Sequence, residues 1–106
     1  MRIFEEPGDD RLTLSLRGIF DETSCPRIEA RMDEIMARDA ERIVFDMSGV
    51  GYISSTGIRT LIVVHKKCRK NGKRFLLTGM SENVKEILSA TGILPLFTEE
   101  GGGGPT

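Results

Sequence analysis

At 106 residues and 11.8 kDa the chain has the length of one domain, enough to bury roughly 60–70% of its unfolded surface in one core. Its 39% hydrophobic and 29% charged content excludes wholesale disorder, and its longest aliphatic run, residues 61–64, is far short of the ~20 residues of a membrane span. The acidic residues 1–10 lack the apolar stretch of a secretory signal, and two cysteines, Cys25 and Cys68, are too few for a disulfide framework or zinc cluster. The formal charge of −1 divides unevenly, −5 over residues 1–49 and +4 over the rest, a polarity that steers charged partners without naming one. The expectation is a reduced, cytoplasmic domain over residues 1–100, with 101–106 as a flexible glycine-rich tail.

Residues 3–5 form a short extended candidate ended by the turn cluster Pro7-Gly8-Asp9-Asp10. Residues 11–17 alternate cleanly, with Leu12, Leu14 and Leu16 on one face, predicting a half-buried strand that Gly18 stops. Thr23 or Ser24 caps a first helix with Pro26 in its first turn, and Ile28, Met32, Ile35 and Met36 make its apolar stripe. Residues 42–46 read as a strand buried on both faces, and 47–54, with Gly49 and Gly51, as a loop. A second helix is expected over residues 55–71, its inner face Ile58, Leu61, Ile62, His65 and Cys68, stopped by Gly72. Residues 74–78 are another buried strand. Ser81 caps a third helix with the stripe Val84, Ile87 and Leu88, and residues 95–97 are a candidate last strand. The order ββαβαβα defines a small α/β domain on a mixed sheet, an antiparallel hairpin followed by parallel crossovers.

The informative stretch is residues 46–57, D-M-S-G-V-G-Y-I-S-S-T-G, where a buried strand gives way to a helix. Open α/β sheets place their sites at this edge. Hydroxyls at a helix start are most often caps. One suffices for that, whereas here Ser54, Ser55 and Thr56 stand in a row before Gly57. A phosphate on one of them would meet the positive end of the helix dipole.

Asp46-Met47-Ser48 and Ser55-Thr56-Gly57-Ile58 together resemble the motif of STAS domains, specifically the bacterial anti-sigma-factor antagonists, and the likeness in element order extends over roughly residues 3–97. The resemblance implies a non-enzymatic partner switch in transcription regulation. The unphosphorylated protein binds an anti-sigma factor that is also a serine protein kinase, ATP-dependent phosphorylation releases it, and a serine phosphatase resets it. The family's phosphoacceptor maps onto Ser55, with Thr56 and then Ser54 as the next candidates. The implied partner surface comprises Asp21, Ser48, Tyr52, Ile53, Ser54, Ser55, Thr56, Gly57 and Arg59. One departure is visible: the residue before the acceptor is usually Asp, and here it is Ser54. The alternative within the same fold is an unphosphorylated accessory subunit of a transport or signalling complex.

The remaining features favour plain structural readings. The basic run from His65 to Arg74 fits a wet helix end better than a nucleic-acid contact. His65 lies ten residues after Ser55, ~15 Å along a helix, too far for a nucleophile–base pair, and no Gly-x-Ser-x-Gly elbow is present. Met47, Val50, Tyr52 and Ile53 either collar the site or pack beneath it. No cofactor or metal is expected, since the acidic residues show no ligand spacing.

Overall fold

The computed structural model describes residues 1–97. The chain runs through β1 (Arg2–Pro7), β2 (Arg11–Phe20), α1 (Cys25–Ile35), β3 (Arg42–Ile53), α2 (Ser55–Lys70), β4 (Arg74–Thr78), α3 (Glu82–Ala90) and a short 3₁₀ turn (Leu94–Leu96). The strands form one sheet in the order β1-β2-β3-β4, antiparallel between β1 and β2 and parallel between β2, β3 and β4. This is the expected mixed sheet with its opening hairpin. The expected tail lies outside the described residues.

One core forms on one side of the sheet. Leu12, Leu14, Leu16, Ile43, Phe45, Phe75 and Leu77 meet Ile28, Met32 and Ile35 of α1, Leu61, Val64 and Cys68 of α2, and Val84 and Leu88 of α3. The strict alternation along β2 supplies that face, because successive strand side chains point to opposite sides. The Phe75 ring sits between Phe45 and Phe97, edge to face with each, at centroid distances of 4.7 and 5.6 Å.

Three readings of the sequence need correction. Gly18 does not stop β2: with φ 127° it admits Met1 alongside, and the strand continues to Phe20. Residues 47–53 are not a loop but the second half of β3, paired with Arg17, Gly18 and Phe20 of β2 after β4 has ended at the Asp46–Thr78 pair. Two register shifts there set three residues of β3 against two of β2, so the buried positions Met47, Val50 and Ile53 recur every third residue and hide the strand period. Residues 95–97 do not form a strand; Pro95 fits the 3₁₀ turn, and Phe97 meets β4 through one bond from the Leu77 N–H to its carbonyl (3.0 Å).

The inner face of α2 is also rotated from the expected stripe. Gly57, Thr60, Leu61, Val64 and Cys68 are buried, while Ile58, Ile62 and His65 are half-buried. Hydropathy misplaced the face because a glycine and a threonine occupy it.

Gly49 and Gly51 distinguish a strand from a loop here. A Cβ on Gly49 would lie 2.8 Å from the Leu16 carbonyl and the Arg17 side chain, whereas one on Gly51 meets nothing within 4 Å. Gly49→Ala is therefore expected to cost about 1–3 kcal/mol in urea unfolding, and Gly51→Ala to stay within about 0.5 kcal/mol. Equal effects would contradict the strand geometry.

Candidate functional site

The site is built where β2 and β3 end together and α2 begins. The Phe20 carbonyl accepts the Ser54 N–H at 2.9 Å, tying the end of β2 to the first turn of α2. Gly57 makes this possible, since a Cβ there would lie 2.6 Å from that carbonyl and 2.7–2.8 Å from the Ile53 and Phe20 side chains. The close neighbour that Gly57 admits is therefore the chain's own backbone.

The three hydroxyls divide their roles. Ser54, in extended conformation, is the N-cap: its Oγ accepts the Gly57 N–H (3.1 Å) and its carbonyl the Ile58 N–H (2.9 Å). Thr56 is half-buried. Ser55, the first helical residue, is exposed, and its hydroxyl makes no hydrogen bond among the described residues. With the next two amides taken by Ser54, the N–H groups of Ser55 and Thr56 remain the open donors of the helix start. Capping thus accounts for Ser54 and leaves Ser55 over. Arg59, one turn further along α2, is exposed and forms no ion pair among the described residues.

Two turns brace this end of the sheet. After β2, Asp21 Oδ1 accepts the Thr23 hydroxyl (2.7 Å) and N–H (3.0 Å), bonds that hold its carboxyl below the usual range. Ser24 does not cap α1 with its side chain; its hydroxyl accepts the Asp21 N–H (3.0 Å) and turns back to the Ile19 and Asp21 carbonyls (3.1 Å each). Within β3, Asp46 Oδ1 accepts the Ser48 N–H (3.0 Å) and hydroxyl (2.8 Å), and Oδ2 the Ser15 hydroxyl (3.3 Å). Gly79, at φ 68°, leaves room for that carboxylate, 2.9 Å from where a Cβ would stand. Asp46-Met47-Ser48 thus anchors the point at which β3 leaves β4. From the start of α3, Asn83 Nδ2 donates to the Gly51 carbonyl (2.9 Å) and steadies the projecting ribbon.

Met47, Val50 and Ile53 are core residues and do not collar the site; Tyr52 alone of that group is outside, 51% exposed. Beside it, Ile19 is 57% exposed, an apolar surface residue the sequence reading passed over. Its signal was parity: with Leu12, Leu14 and Leu16 inside, an odd-numbered residue beyond Gly18 points outward. Asp21, Tyr52, Ser55 and Arg59 are thus carried by elements that meet at this end, Ser48 stands further back on β3 beside Asp46, and Ile53 and Gly57 shape the end from beneath.

The histidine, the cysteines and Lys73 are set into the fold. His65 is half-buried, edge-on to Phe97 at 5.7 Å, and burial together with Arg69 lowers its pKa. Burial pushes the Cys68 thiol up to about 11 and raises that of Cys25, the reverse of a reactive thiol. Lys73, from the basic run, is buried and donates to the Arg38 (2.6 Å) and Ala40 (2.7 Å) carbonyls. Among the described residues no His, Cys, Asp or Glu cluster could hold a metal, and no helix is long and apolar enough to cross a membrane.

The STAS domain pattern matches residues 3–101, and the chain belongs to that family. BtrV of Bordetella bronchiseptica, named as an anti-sigma factor antagonist, is 26% identical over 97 residues, covering 92% of this chain and 84% of its own. The anti-sigma-B factor antagonist of Listeria monocytogenes is 20% identical over 89 residues, 84% of this chain and 78% of its own. In fold the chain is similar to the unphosphorylated anti-sigma factor antagonist SpoIIAA (TM-score 0.78, 16% identity, 92% and 86% of the two chains). It is likewise similar to an anti-sigma factor antagonist from Mycobacterium paratuberculosis (TM-score 0.79, 22%, 91% and 81%). A sulfate transporter family protein from Wolinella succinogenes shares the fold too (TM-score 0.74, 24%, 83% and 71%).

The Asp46 anchor has a pH signature. The Ser48 N–H is the first cause holding its carboxyl below the ordinary range, the Ser48 and Ser15 hydroxyls and Arg17 adding to it while partial burial opposes. The folded state prefers the carboxylate, so this stabilisation is complete above the unfolded value of about 3.9 and is lost as pH falls through the lower folded value. The stability difference between wild type and Asp46→Asn, from urea unfolding, should hold steady from about pH 7 to 5 and narrow towards pH 3. A difference independent of pH would refute the anchor.

Proposed function

We propose that this chain is a phosphorylatable, non-enzymatic binding module, an anti-sigma factor antagonist of a bacterial partner-switching pathway. In the cytoplasm the unmodified protein binds an anti-sigma factor that is also a serine protein kinase, so freeing a sigma factor for transcription. The observation that carries this reading is the division of labour at α2. Ser54 holds the cap, so Ser55 offers an exposed hydroxyl that the fold does not use.

In the proposed step the Ser55 hydroxyl oxygen forms a bond to the γ-phosphorus of ATP. The bond from that phosphorus to the bridging oxygen breaks, ADP leaves with the electron pair, and the hydroxyl proton passes to a base of the kinase. A serine phosphatase restores the alcohol by hydrolysis. The names of BtrV and the Listeria relative, together with the STAS membership, support the general role.

Electrostatics explains how such a mark would release a partner. A phosphate adds about −1.5 to −2 charges where the unmodified surface has a neutral alcohol. Burying that charge in an interface without a counter-ion costs several kcal/mol, and about 1.4 kcal/mol is already a tenfold loss of affinity. Asp21, Ser48, Tyr52, Thr56 and Arg59 are the proposed contacts around it, with Ile53, Ser54 and Gly57 setting their positions. Arg59, one helical turn on from Ser55, gives a partner's carboxylate its cation in the unmodified state and turns to the phosphate in the modified one.

The test is to incubate the protein with its cognate kinase and ATP, record the intact mass, and titrate Ser55→Ala and Ser55→Asp against the kinase by calorimetry. One added phosphate, absent from Ser55→Ala, is expected, and Ser55→Asp should bind at least about tenfold more weakly than Ser55→Ala. Equal affinities would overturn the switch. Binding with no phosphate transferred would point instead to an accessory subunit of a transport or signalling complex.

A further inference from the structure

Two polar clasps join α1 to α2: the Thr60 hydroxyl donates to Glu29 Oε2 (3.2 Å), and the Lys67 ammonium is paired with Asp33. At the second clasp the two helices leave a hollow of about 490 Å³, lined beyond the clasp itself by Met36, Val63, Lys66, Lys70 and Asn71. Most of that lining is exposed, so the hollow is a groove open along the helices.

The groove carries more than a wet helix end requires. Lysines in the last turn complement the negative end of a helix, an effect that fades beyond that turn. It accounts for Lys67 and Lys70 but not for Lys66. Lys67 is already paired, whereas Lys66 and Lys70 form no ion pair among the described residues. Beside these two free cations, Val63 leaves 37% of its surface exposed next to half-buried Met36. An apolar patch and two unmatched charges thus share one concave surface.

We infer that this groove is a docking site for an acidic amphipathic helix of a protein partner. Val63, Lys66 and Lys70 stand at i, i+3 and i+7 of α2, which places them on one side of it. A partner helix lying alongside, with an apolar residue and then carboxylates three and seven places on, repeats that spacing and meets each in turn. A small anion is the weaker fit, because small ligands are typically ~70–90% buried in their sites and an open groove would leave one in water. A nucleic acid is weaker too, since Asp33 stands in the lining and no aromatic ring is there for a base to stack on.

Ser55 and Arg59 lie on the same side of α2, at four-residue steps that lead to Val63. Along the axis Lys66 is ~16 Å from Ser55, about two Debye lengths of ~8 Å at physiological salt, so a charge on Ser55 is screened from the groove. A partner seated here keeps its hold while a contact at Ser55 is made or broken, and the groove serves whether or not Ser55 is phosphorylated.

The test uses the full chain and a fluorescein-labelled helical peptide of ~20 residues, with leucine at one position and glutamate three and seven residues later. Binding is read by fluorescence anisotropy in about 0.15 M NaCl. Saturable binding is expected, weakened at least about tenfold by Lys66→Gln/Lys70→Gln. Arg11→Gln/Lys85→Gln, which removes the same charge from exposed positions elsewhere, should weaken it less than about twofold. Ser55→Asp should stay within about twofold of wild type. Lys66→Glu/Lys70→Glu should bind the same peptide with lysine for glutamate at least about tenfold more tightly than wild type does, a gain that a misfolded variant could not show. Equal loss in the two glutamine variants, no saturable binding, a loss in Ser55→Asp as large as that in Lys66→Gln/Lys70→Gln, no gain in the charge-swapped pair, or tighter binding of a ~20-nucleotide oligo-dT would each overturn the docking site.

Discussion

The hydrogen bond from the Ser54 N–H to the Phe20 carbonyl holds the functional end of this domain together. It joins the last residue of β2 to the residue that caps α2, and Gly57 lets the helix approach that same carbonyl. A larger residue at 57 would push α2 away, lengthening this bond and withdrawing the Ile53 side chain from the core. The Asp21 turn, the Tyr52 ribbon and the Ser55 hydroxyl are all placed by that contact. The rest of the sheet brings two chain segments far apart in sequence to within 2.9 Å of one another.

Much of this was legible beforehand, and the misses share a cause. The alternation of Leu12, Leu14 and Leu16 and the short apolar runs at 42–46 and 74–78 specify strands, because each keeps one simple pattern, strict alternation in the first and an unbroken apolar run in the others. The second half of β3 obeys none. Its two bulges turn a period of two into a period of three, and its glycines look like turn residues when Gly49 is in fact squeezed against a neighbouring strand. Ile19 is masked for a related reason, since Gly18 resembles a strand end while the parity of β2 runs on past it to Phe20. The α2 face was misjudged because Gly57 and Thr60 are inside it: Gly57 for a steric reason, and Thr60 because its hydroxyl donates to Glu29 at 3.2 Å.

For the site, the sequence located the motif but not the assignment within it. Three hydroxyls in a row are equivalent on paper. Only the backbone separates them, because the residue in extended conformation before the first helical turn caps and the next one points outward. The same geometry bears on the Ser54 that stands where related motifs carry Asp. Serine caps about as well as aspartate, so the helix start is preserved while one negative charge is withdrawn from beside Ser55. The unmodified site then begins closer to electrical neutrality, and an added phosphate changes its charge without a neighbouring carboxylate to repel it.

That separation of cap from proposed acceptor decides what a modification at this point could do. Were the proposed acceptor also the cap, modification would disturb the Gly57 amide and the approach of α2 to Phe20 along with it. Because Ser54 keeps those bonds, a phosphate on Ser55 would alter the field at the surface and leave the packing under it in place. The open N–H groups of Ser55 and Thr56 would even stabilise it, as would Arg59 one turn away, which forms no ion pair among the described residues. On the proposed reading, a phosphate on Ser55 would change what the domain presents without changing its shape, and any difference in partner affinity would come from the surface itself.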